Sequence, residues 1–467
     1  MKKLTRTTVI LLLTAMISGC AAAPAPSPAP APGGSSAVTE PENAPNAPTP
    51  AEADYHLANV AYPDTGDYGG MDAQTFSESD AHWKWWEAYH ENLEASWAIQ
   101  DGLGAFNQTI INELLITEET DNRVCSPINL YIALAMLAEC TDADSRAQIL
   151  DVLGEKDIDC LRANAKILWE ANYVDTPILQ SLLGSSVWIK KDVACNHDTL
   201  QVLADNYYTE PFYMEPGVSG YDTMLQTWMD NHTGGMLTDS IRDIRFRPET
   251  VLALVSTIYY KAAWLDKFQA EATTTEVFHG AEGDTDVDMM HRSDMTGYFK
   301  GANFGAISLP LNDSGSMYLF LPDEGTDVKE VVANEETLDL MRGTADTSTN
   351  LVHLSLPKFK AGSDINLMDS MKQLGITNVM IPEVADFTPI ITDENLEPLY
   401  LSDAKHAAIV DVDEEGVTGA AYTIMMVAEG AALMEPEEID FILDRPFYFT
   451  VTSRDGSILF AGIVQNP

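Results

Sequence analysis

Cys20 is the residue whose position most directly indicates a chemical modification. It ends the opening sequence MKKLTRTTVILLLTAMISGC, which has basic residues at its start, an apolar stretch from Val9 to Ile17, and the small residues Ser18 and Gly19. This arrangement is typical of a secretory signal, and the apolar stretch is too short to span a membrane. The last four residues resemble the bacterial lipobox, in which the cysteine thiol is acylated and becomes the new N-terminus. We therefore expect an exported, extracellular lipoprotein, anchored to the outer face of a bacterial cell membrane or outer membrane.

The other chemistry-bearing residues form no catalytic or metal-binding pattern. The histidines include no HExxH, the serines no GxSxG and the glycines no phosphate-binding loop. The remaining cysteines have neither zinc-site nor CxxC spacing, and Cys125 and Cys140 lie in apolar stretches where a buried free thiol is the default. The pairing of Cys160 and Cys195 stays open. We expect no enzymatic activity, no metal and no cofactor.

Composition divides the chain of 467 residues into a leader, a linker and one domain. Residues 1–19 are the predicted signal peptide. Residues 20–80 follow as the lipidated cysteine and a disordered linker rich in proline and alanine, which cannot bury a core. Residues 81–467 then form a single domain. The formal charge of −46 repels nucleic acid and anionic glycans, so we expect a monomer without a nucleic-acid partner.

Apolar periodicity predicts helices early in the domain and strands later. Apolar residues recur at helical spacing from Leu103 to Leu115 and from Leu130 to Leu137. β-branched and aromatic runs predict strands at residues 185–189, 252–260, 307–309, 316–321, 351–356 and 447–451. This order indicates an α+β fold. The aromatic run from His82 to Tyr89 is interpreted as an N-terminal helix docked on the domain, with a carbohydrate-binding or adhesive surface patch as the alternative.

Short motifs follow one another in a fixed order through the domain. They are NRVCSPINLYIALAMLAECTDADSRAQILDVLG (Asn122 to Gly154), Trp228 with Thr233 and Gly235, LVSTIYYKAAW (Leu254 to Trp264), LPKF (Leu356 to Phe359), ADF (Ala385 to Phe387), DRPFYF (Asp444 to Phe449) and LFAGIVQNP (Leu459 to Pro467). In this order they resemble the serpin family, from about Leu103 to the last residue. The resemblance implies a serpin fold, with helices packed around a large central, mostly antiparallel sheet, two further sheets and an exposed reactive loop.

The segment DVDEEGVTGAAYT, from Asp411 to Thr423, resembles the hinge of a serpin reactive loop, which here would span residues 414–445. The resemblance assigns the hinge to Glu414, Glu415, Gly416, Val417, Thr418, Gly419, Ala420 and Ala421. A hinge must leave solvent and enter the main sheet as a strand, so it needs short, uncharged side chains at alternate positions. Val417, Gly419, Ala421 and Thr423 supply them. The implied activity is suicide inhibition, in which a protease cleaves the loop and is trapped covalently as the loop inserts.

In the serpin family two serines, an asparagine and a histidine hydrogen-bond beneath the sheet that opens. Ser126 and His406 are retained here, whereas Asn129 stands where the second serine is usual and Ser256 where the asparagine is usual. We expect this network to survive with exchanged partners, because an unpaired buried polar group costs about 1–3 kcal/mol. Trp264 completes the residues that the resemblance places along the opening sheet.

The scissile bond is predicted within a stretch that contains no lysine or arginine. Counting forward from Glu414 gives Gly430–Ala431, and counting back from Phe441 gives Ala432–Leu433 or Leu433–Met434. Small and aliphatic residues suit a shallow apolar specificity pocket. The expected partner is therefore an elastase-like or subtilisin-like serine protease, with a chymotrypsin-like or cysteine protease as the alternative. The rival function is a non-inhibitory serpin acting as a surface binding protein, against which the uncharged alternation of the hinge argues.

Overall fold

The computed structural model describes residues 8–13, 57, 60–63, 66, 68, 70–236, 238–417 and 437–467. The helices of this part are α1 (Ala73–Ser77), α2 (Asp80–Leu115), α3 (Pro127–Cys140), α4 (Ala143–Leu153), α5 (Ile158–Asn172), α6 (His197–Tyr207), α7 (Ser219–Asn231), α8 (Thr238–Ile241), α9 (Val328–Val332), α10 (Glu336–Met341) and α11 (Leu367–Gln373). Among the described residues, none of these helices combines the length and apolar character that crossing a membrane requires.

The strands of the same part form two sheets. They are β1 (Thr8–Leu13), β2 (Arg123–Cys125), β3 (Val174–Asp175), β4 (Leu179–Lys190), β5 (Thr209–Met214), β6 (Thr250–Ala263), β7 (Thr274–Gly280), β8 (Gly283–Lys300), β9 (Phe304–Pro310), β10 (Ser316–Pro322), β11 (Ser348–Pro357), β12 (Phe359–Asn366), β13 (Leu401–Val412), β14 (Gly416–Val417), β15 (Glu438–Ile442), β16 (Phe447–Thr452) and β17 (Ile458–Val464). Every strand predicted from the sequence falls within one of these, which confirms the α+β prediction.

Helix α3 lies at the centre of the helical layer. Its sequence PINLYIALAMLAEC is apolar almost throughout, and all 14 of its residues are buried. Pro127 begins the helix, where a missing N–H costs no hydrogen bond. The apolar stripe of α2 from Leu103 to Leu115 packs into the same core, so both helices predicted from periodicity are confirmed.

The first sheet is mixed and contains a one-strand slot. Its path runs β3-β4-β6-β14-β13, with β12 on the outer side of β13 and β5 beside β4. Strands β6 and β13 run in the same direction, and the space between them is the slot. β14 lies between their C-terminal ends, antiparallel to both. β1 lies between their N-terminal parts, parallel to both, and its sequence TVILLL is rich in strand-forming residues.

The second sheet has the order β15-β11-β8-β9-β10-β16-β17-β2, with β7 also paired to β8. Strand β8 is 18 residues long, pairs with β7 and β11 over most of its length, and meets β9 at its end. It thereby joins the two further sheets implied by the serpin resemblance into one continuous sheet.

The packed domain begins before residue 81, so the linker predicted through residue 80 is wrong at its C-terminal end. The Leu57 N–H donates to the Pro211 carbonyl at 3.0 Å. The Tyr62 ring stacks on Tyr173 and Tyr208, with centroids 5.6 and 6.1 Å away. Helix α1 follows, with Phe76 buried. Aromatic side chains spaced through this polar stretch can bury apolar surface, which offsets the entropy of ordering it.

Candidate functional site

Two residues of the predicted hinge lie in the slot as β14. Gly416 lies opposite Ala263, and Val417 lies opposite both Ala262 on β6 and Val412 on β13. The Val417 side chain is only 1% exposed. A Cβ atom on Gly416 would stand 2.2 Å from the Ala262 carbonyl oxygen, so this close approach requires glycine. Gly416 and Val417, which belong to the predicted hinge, therefore lie inside the sheet.

Asp413 shapes the turn between β13 and β14. Its carboxylate accepts hydrogen bonds from the N–H groups of Glu415 at 2.8 Å and Gly416 at 3.3 Å. The indole N–H of Trp264 donates to the Asp413 carbonyl at 2.8 Å, and the Trp264 backbone N–H donates to the Glu415 carbonyl at 3.0 Å. Trp264, predicted to lie along the opening sheet, thus holds the turn between β13 and β14.

Two lysines hold the acidic residues of this turn. Lys358 Nζ lies 2.8 Å from Glu414 Oε2, and the Thr273 hydroxyl donates to Glu414 Oε1 at 2.9 Å. Burial tends to raise the pKa of Glu414, but the hydrogen bonds from Lys358 and Thr273 outweigh it and leave that pKa below its usual value. Lys267 Nζ lies 2.9 Å from Glu415 Oε2. Glu414 and Glu415 are therefore each paired with a lysine directly before β14 enters the slot.

Below the hinge, α3 is tied to both strands that border the slot. The Ser126 N–H donates to His406 Nε2 on β13 at 2.9 Å, and the Ser256 hydroxyl of β6 donates to Asn129 Oδ1. All four residues are buried, and burial lowers the pKa of His406 to about 3. The exchange predicted for Asn129 and Ser256 is matched by this direct bond. The contacts are two separate bonds, because Ser126 Oγ, Asn129 Nδ2 and His406 Nδ1 have no partner among the described residues.

Comparisons with known proteins identify the family of this chain. The model of the family described as serpin (serine protease inhibitor) matches residues 101–467. The chain belongs to the serpin family. Antithrombin-III of Homo sapiens is 26% identical over 389 residues, which cover 79% of this chain and 82% of that protein.

Another relative and a solved structure agree. Plasminogen activator inhibitor 1 of Neovison vison is 27% identical over 413 residues, which cover 85% of this chain and 97% of that protein. The solved structure of Arabidopsis AtSerpin1, in its native stressed conformation, has a TM-score of 0.69 at 23% identity. The match covers 79% of this serpin and 98% of AtSerpin1, which shows a shared fold.

Both ends of the predicted reactive loop contain strands. Gly416–Val417 forms β14, and Glu438–Ile442 forms β15, which pairs in parallel with β11. The predicted interval from 414 to 445 therefore includes the two strands Gly416–Val417 and Glu438–Ile442. The remaining predicted site residues lie outside the described residues: Cys20, Thr418, Gly419, Ala420, Ala421, Gly430, Ala431, Ala432, Leu433 and Met434.

The four described cysteines are free, and Cys125 and Cys140 are buried as predicted. Burial raises the pKa of Cys125 to about 12, so this thiol stays protonated and is a poor nucleophile. Sequence reasoning missed the lysine contacts to the hinge. Lys358 lies within the LPKF motif, which was the one available signal, whereas Lys267 lies outside every motif.

Proposed function

We propose that this serpin inhibits a serine protease as a suicide substrate. The protease cleaves the loop between Val417 and Glu438 and forms an acyl-enzyme with the new carboxyl end. As the loop then enters the slot, the covalently attached protease moves with it and is trapped. The bond broken is a loop peptide bond, and the protease serine replaces the leaving amine. The observation that carries the proposal is the position of Gly416 and Val417 between β6 and β13.

The register of the hinge sets how far insertion can run. Val417 lies opposite Ala262 of β6, and β6 begins twelve residues earlier at Thr250. Continued in the same antiparallel register, the twelfth residue after Val417, which is Glu429, would lie opposite Thr250. Counted on β13 from the pair formed by Val412 and Val417, Ala428 would lie opposite Leu401. The N-terminal ends of β6 and β13 would therefore lie opposite the residues at which the predicted scissile window begins.

Side-chain alternation supports the same register. Val417 faces the core, so residues at odd positions after it would face the core as well. These are Gly419, Ala421, Thr423, Met425 and Val427, all uncharged. The first charge on this face is Glu429, at the end of the slot. A strand of this length adds on the order of ten backbone hydrogen bonds at about 1 kcal/mol each, which rivals the ~5–15 kcal/mol stability of a whole domain. The uncleaved form is thus kinetically trapped.

The target class follows from the residues beyond Glu429. Gly430, Ala431, Ala432, Leu433 and Met434 include small and aliphatic side chains and no cation. They fit a shallow apolar specificity pocket, so an elastase-like or subtilisin-like protease is the proposed target.

Pancreatic elastase tests the mechanism directly. The chain from Ala21 onward should form a complex that survives SDS, and mass spectrometry of the released C-terminal fragment should locate the bond between Gly430 and Met434. Ala421→Arg places a charge on the inserting face and should give cleavage without a complex. Ala420→Arg adds the same charge on the opposite face and should still trap the protease. Cleavage of the unsubstituted chain without any stable complex would favour a binding protein instead.

We propose separately that Cys20 anchors the protein to the outer face of a bacterial membrane, on the basis of the lipobox resemblance alone. Radiolabelled palmitate should label the chain expressed in a bacterial host. Cys20→Ser should abolish both the label and membrane fractionation, and a label that persists in this variant would contradict the assignment.

A further inference from the structure

A groove of about 740 Å³ lies where the first turns of α2 meet the turn between β9 and β10. Trp83 and Trp86 of α2 form one side, and Leu265, Asn312 and Arg454 contribute to the rest. Its volume falls within the roughly 300–1,000 Å³ typical of small-molecule sites. We infer that this groove binds a short, neutral oligosaccharide, a role that does not depend on protease inhibition.

The aromatic run of α2 serves two separate surfaces. Trp85 and Tyr89 are buried, so for them the interpretation as a docked helix is correct. Trp83 is 67% exposed, and it lies three residues before Trp86, which places both side chains along the groove side of the helix. A broad, exposed indole face is apolar surface that water solvates poorly, and the C–H face of a pyranose ring can cover it.

The polar groups of the groove supply donors and acceptors together. The Arg454 guanidinium lies 4.3 Å from the Trp86 ring centroid and makes no ion pair with another described residue. The Asn312 side-chain amide likewise has no hydrogen-bond partner among the described residues, while the Asn312 backbone N–H is fixed on the Ala263 carbonyl at 2.8 Å. Sugar hydroxyls both donate and accept hydrogen bonds, so they suit a guanidinium and an amide side by side.

Charge selects a neutral ligand over an acidic one. The groove is lined by one arginine and by two aspartates, Asp266 and Asp313, and Asp313 Oδ2 also lies 3.2 Å from His82 Nε2. The chain as a whole carries a formal charge of −46, which repels polyanions at long range. A purely apolar ligand would leave the amide and the guanidinium unsolvated and unpaired.

Titration calorimetry with triacetylchitotriose and cellotriose tests the inference. At least one of the two should bind the unsubstituted chain, and Trp83→Ala should weaken that binding about tenfold or more, as loss of a central aromatic contact typically does. Trp97→Ala is the matched control, because Trp97 is 46% exposed on the same helix but lies outside the groove. It should leave the affinity unchanged. Asn312→Ala should weaken binding without changing the thermal unfolding temperature.

Three results would overturn the inference. The first is the absence of binding by either sugar at millimolar concentration. The second is an equal loss of affinity in Trp83→Ala and Trp97→Ala. The third is Trp83-dependent binding to phosphatidylcholine vesicles without sugar binding, which would assign the exposed indole to a lipid surface.

Discussion

His406 should make the stability of the folded protein depend on pH. Its Nε2 accepts the Ser126 N–H, so the ring is neutral, and burial lowers its pKa to about 3 against about 6.5 in an unfolded chain. Between these values the unfolded chain binds a proton that the native protein does not. This residue's contribution to stability is therefore complete above pH 6.5 and is lost as pH falls, at about 1.4 kcal/mol per pH unit.

The measurement is the urea midpoint of unfolding from pH 7 to pH 4. His406→Gln keeps an acceptor for Ser126 and removes the titration, so its midpoint should fall less steeply with acidification than that of the unsubstituted chain. Parallel pH profiles would contradict the assignment of this proton uptake to His406.

Adding one carbon atom at Gly416 tests whether β14 is packed tightly in the slot. In Gly416→Ala the added Cβ would meet the Ala262 carbonyl at 2.2 Å and Ala263 Cα at 2.7 Å, both backbone atoms that cannot rotate away. We expect the free energy of unfolding to fall by about 1–3 kcal/mol, as overpacking usually costs. Gly102→Ala on α2 is the control, because nothing lies within 4 Å of its Cβ position. Equal effects in the two variants would show that β14 leaves the slot at no cost.

At the scale of elements, the segment before α1 acts as a strap across the helical layer. The Tyr62 hydroxyl donates to Glu210 Oε1 at 2.8 Å, and His232 Nε2 lies 3.4 Å from the same oxygen. Burial tends to raise the pKa of Glu210, but the hydrogen bonds from His232 and Tyr62 leave it below its usual value. The Tyr62 ring also packs against Trp169 at 5.8 Å. The strap therefore combines a charged hydrogen bond with aromatic burial.

Two substitutions at Tyr62 separate these contributions. Tyr62→Phe keeps the ring and should lower the free energy of unfolding by about 1 kcal/mol, the usual worth of one hydrogen bond. Tyr62→Ala removes both and should cost about 2–3 kcal/mol. Limited proteolysis should then cut residues 57–70 faster in Tyr62→Ala alone. Identical unfolding curves for the two variants would place the whole effect in the hydroxyl.

At the scale of the molecule, local patterns predicted the elements and missed the contacts between distant parts of the chain. Periodicity predicted α3 and the strands because the apolar residues that form each buried face recur at short, regular spacing along the sequence. The contact between Lys358 and Glu414 exists only because β12 and β13 pair and bring distant residues together. In a chain with 72 acidic residues no single glutamate stands out as a partner. The strap was likewise hidden, because Tyr62 and Glu210 are 148 positions apart.

Because β1 belongs to the predicted signal peptide and lies in the slot, the presence or absence of residues 1–19 should determine whether the loop can insert. Val9 to Leu13 pair with Leu252 to Ser256 on β6, and these are the positions that residues 423–427 would take on insertion. A chain that retains residues 1–19 must therefore lose the β1 ladder before the loop can enter. We expect this unprocessed chain, made as Cys20→Ser, to be cleaved by pancreatic elastase mostly without trapping it, whereas the chain from Ala21 onward traps it. Leu11→Pro removes a backbone N–H from the ladder and should restore trapping in the unprocessed chain. Equal yields of SDS-stable complex from the processed and unprocessed chains would show that β1 does not oppose insertion.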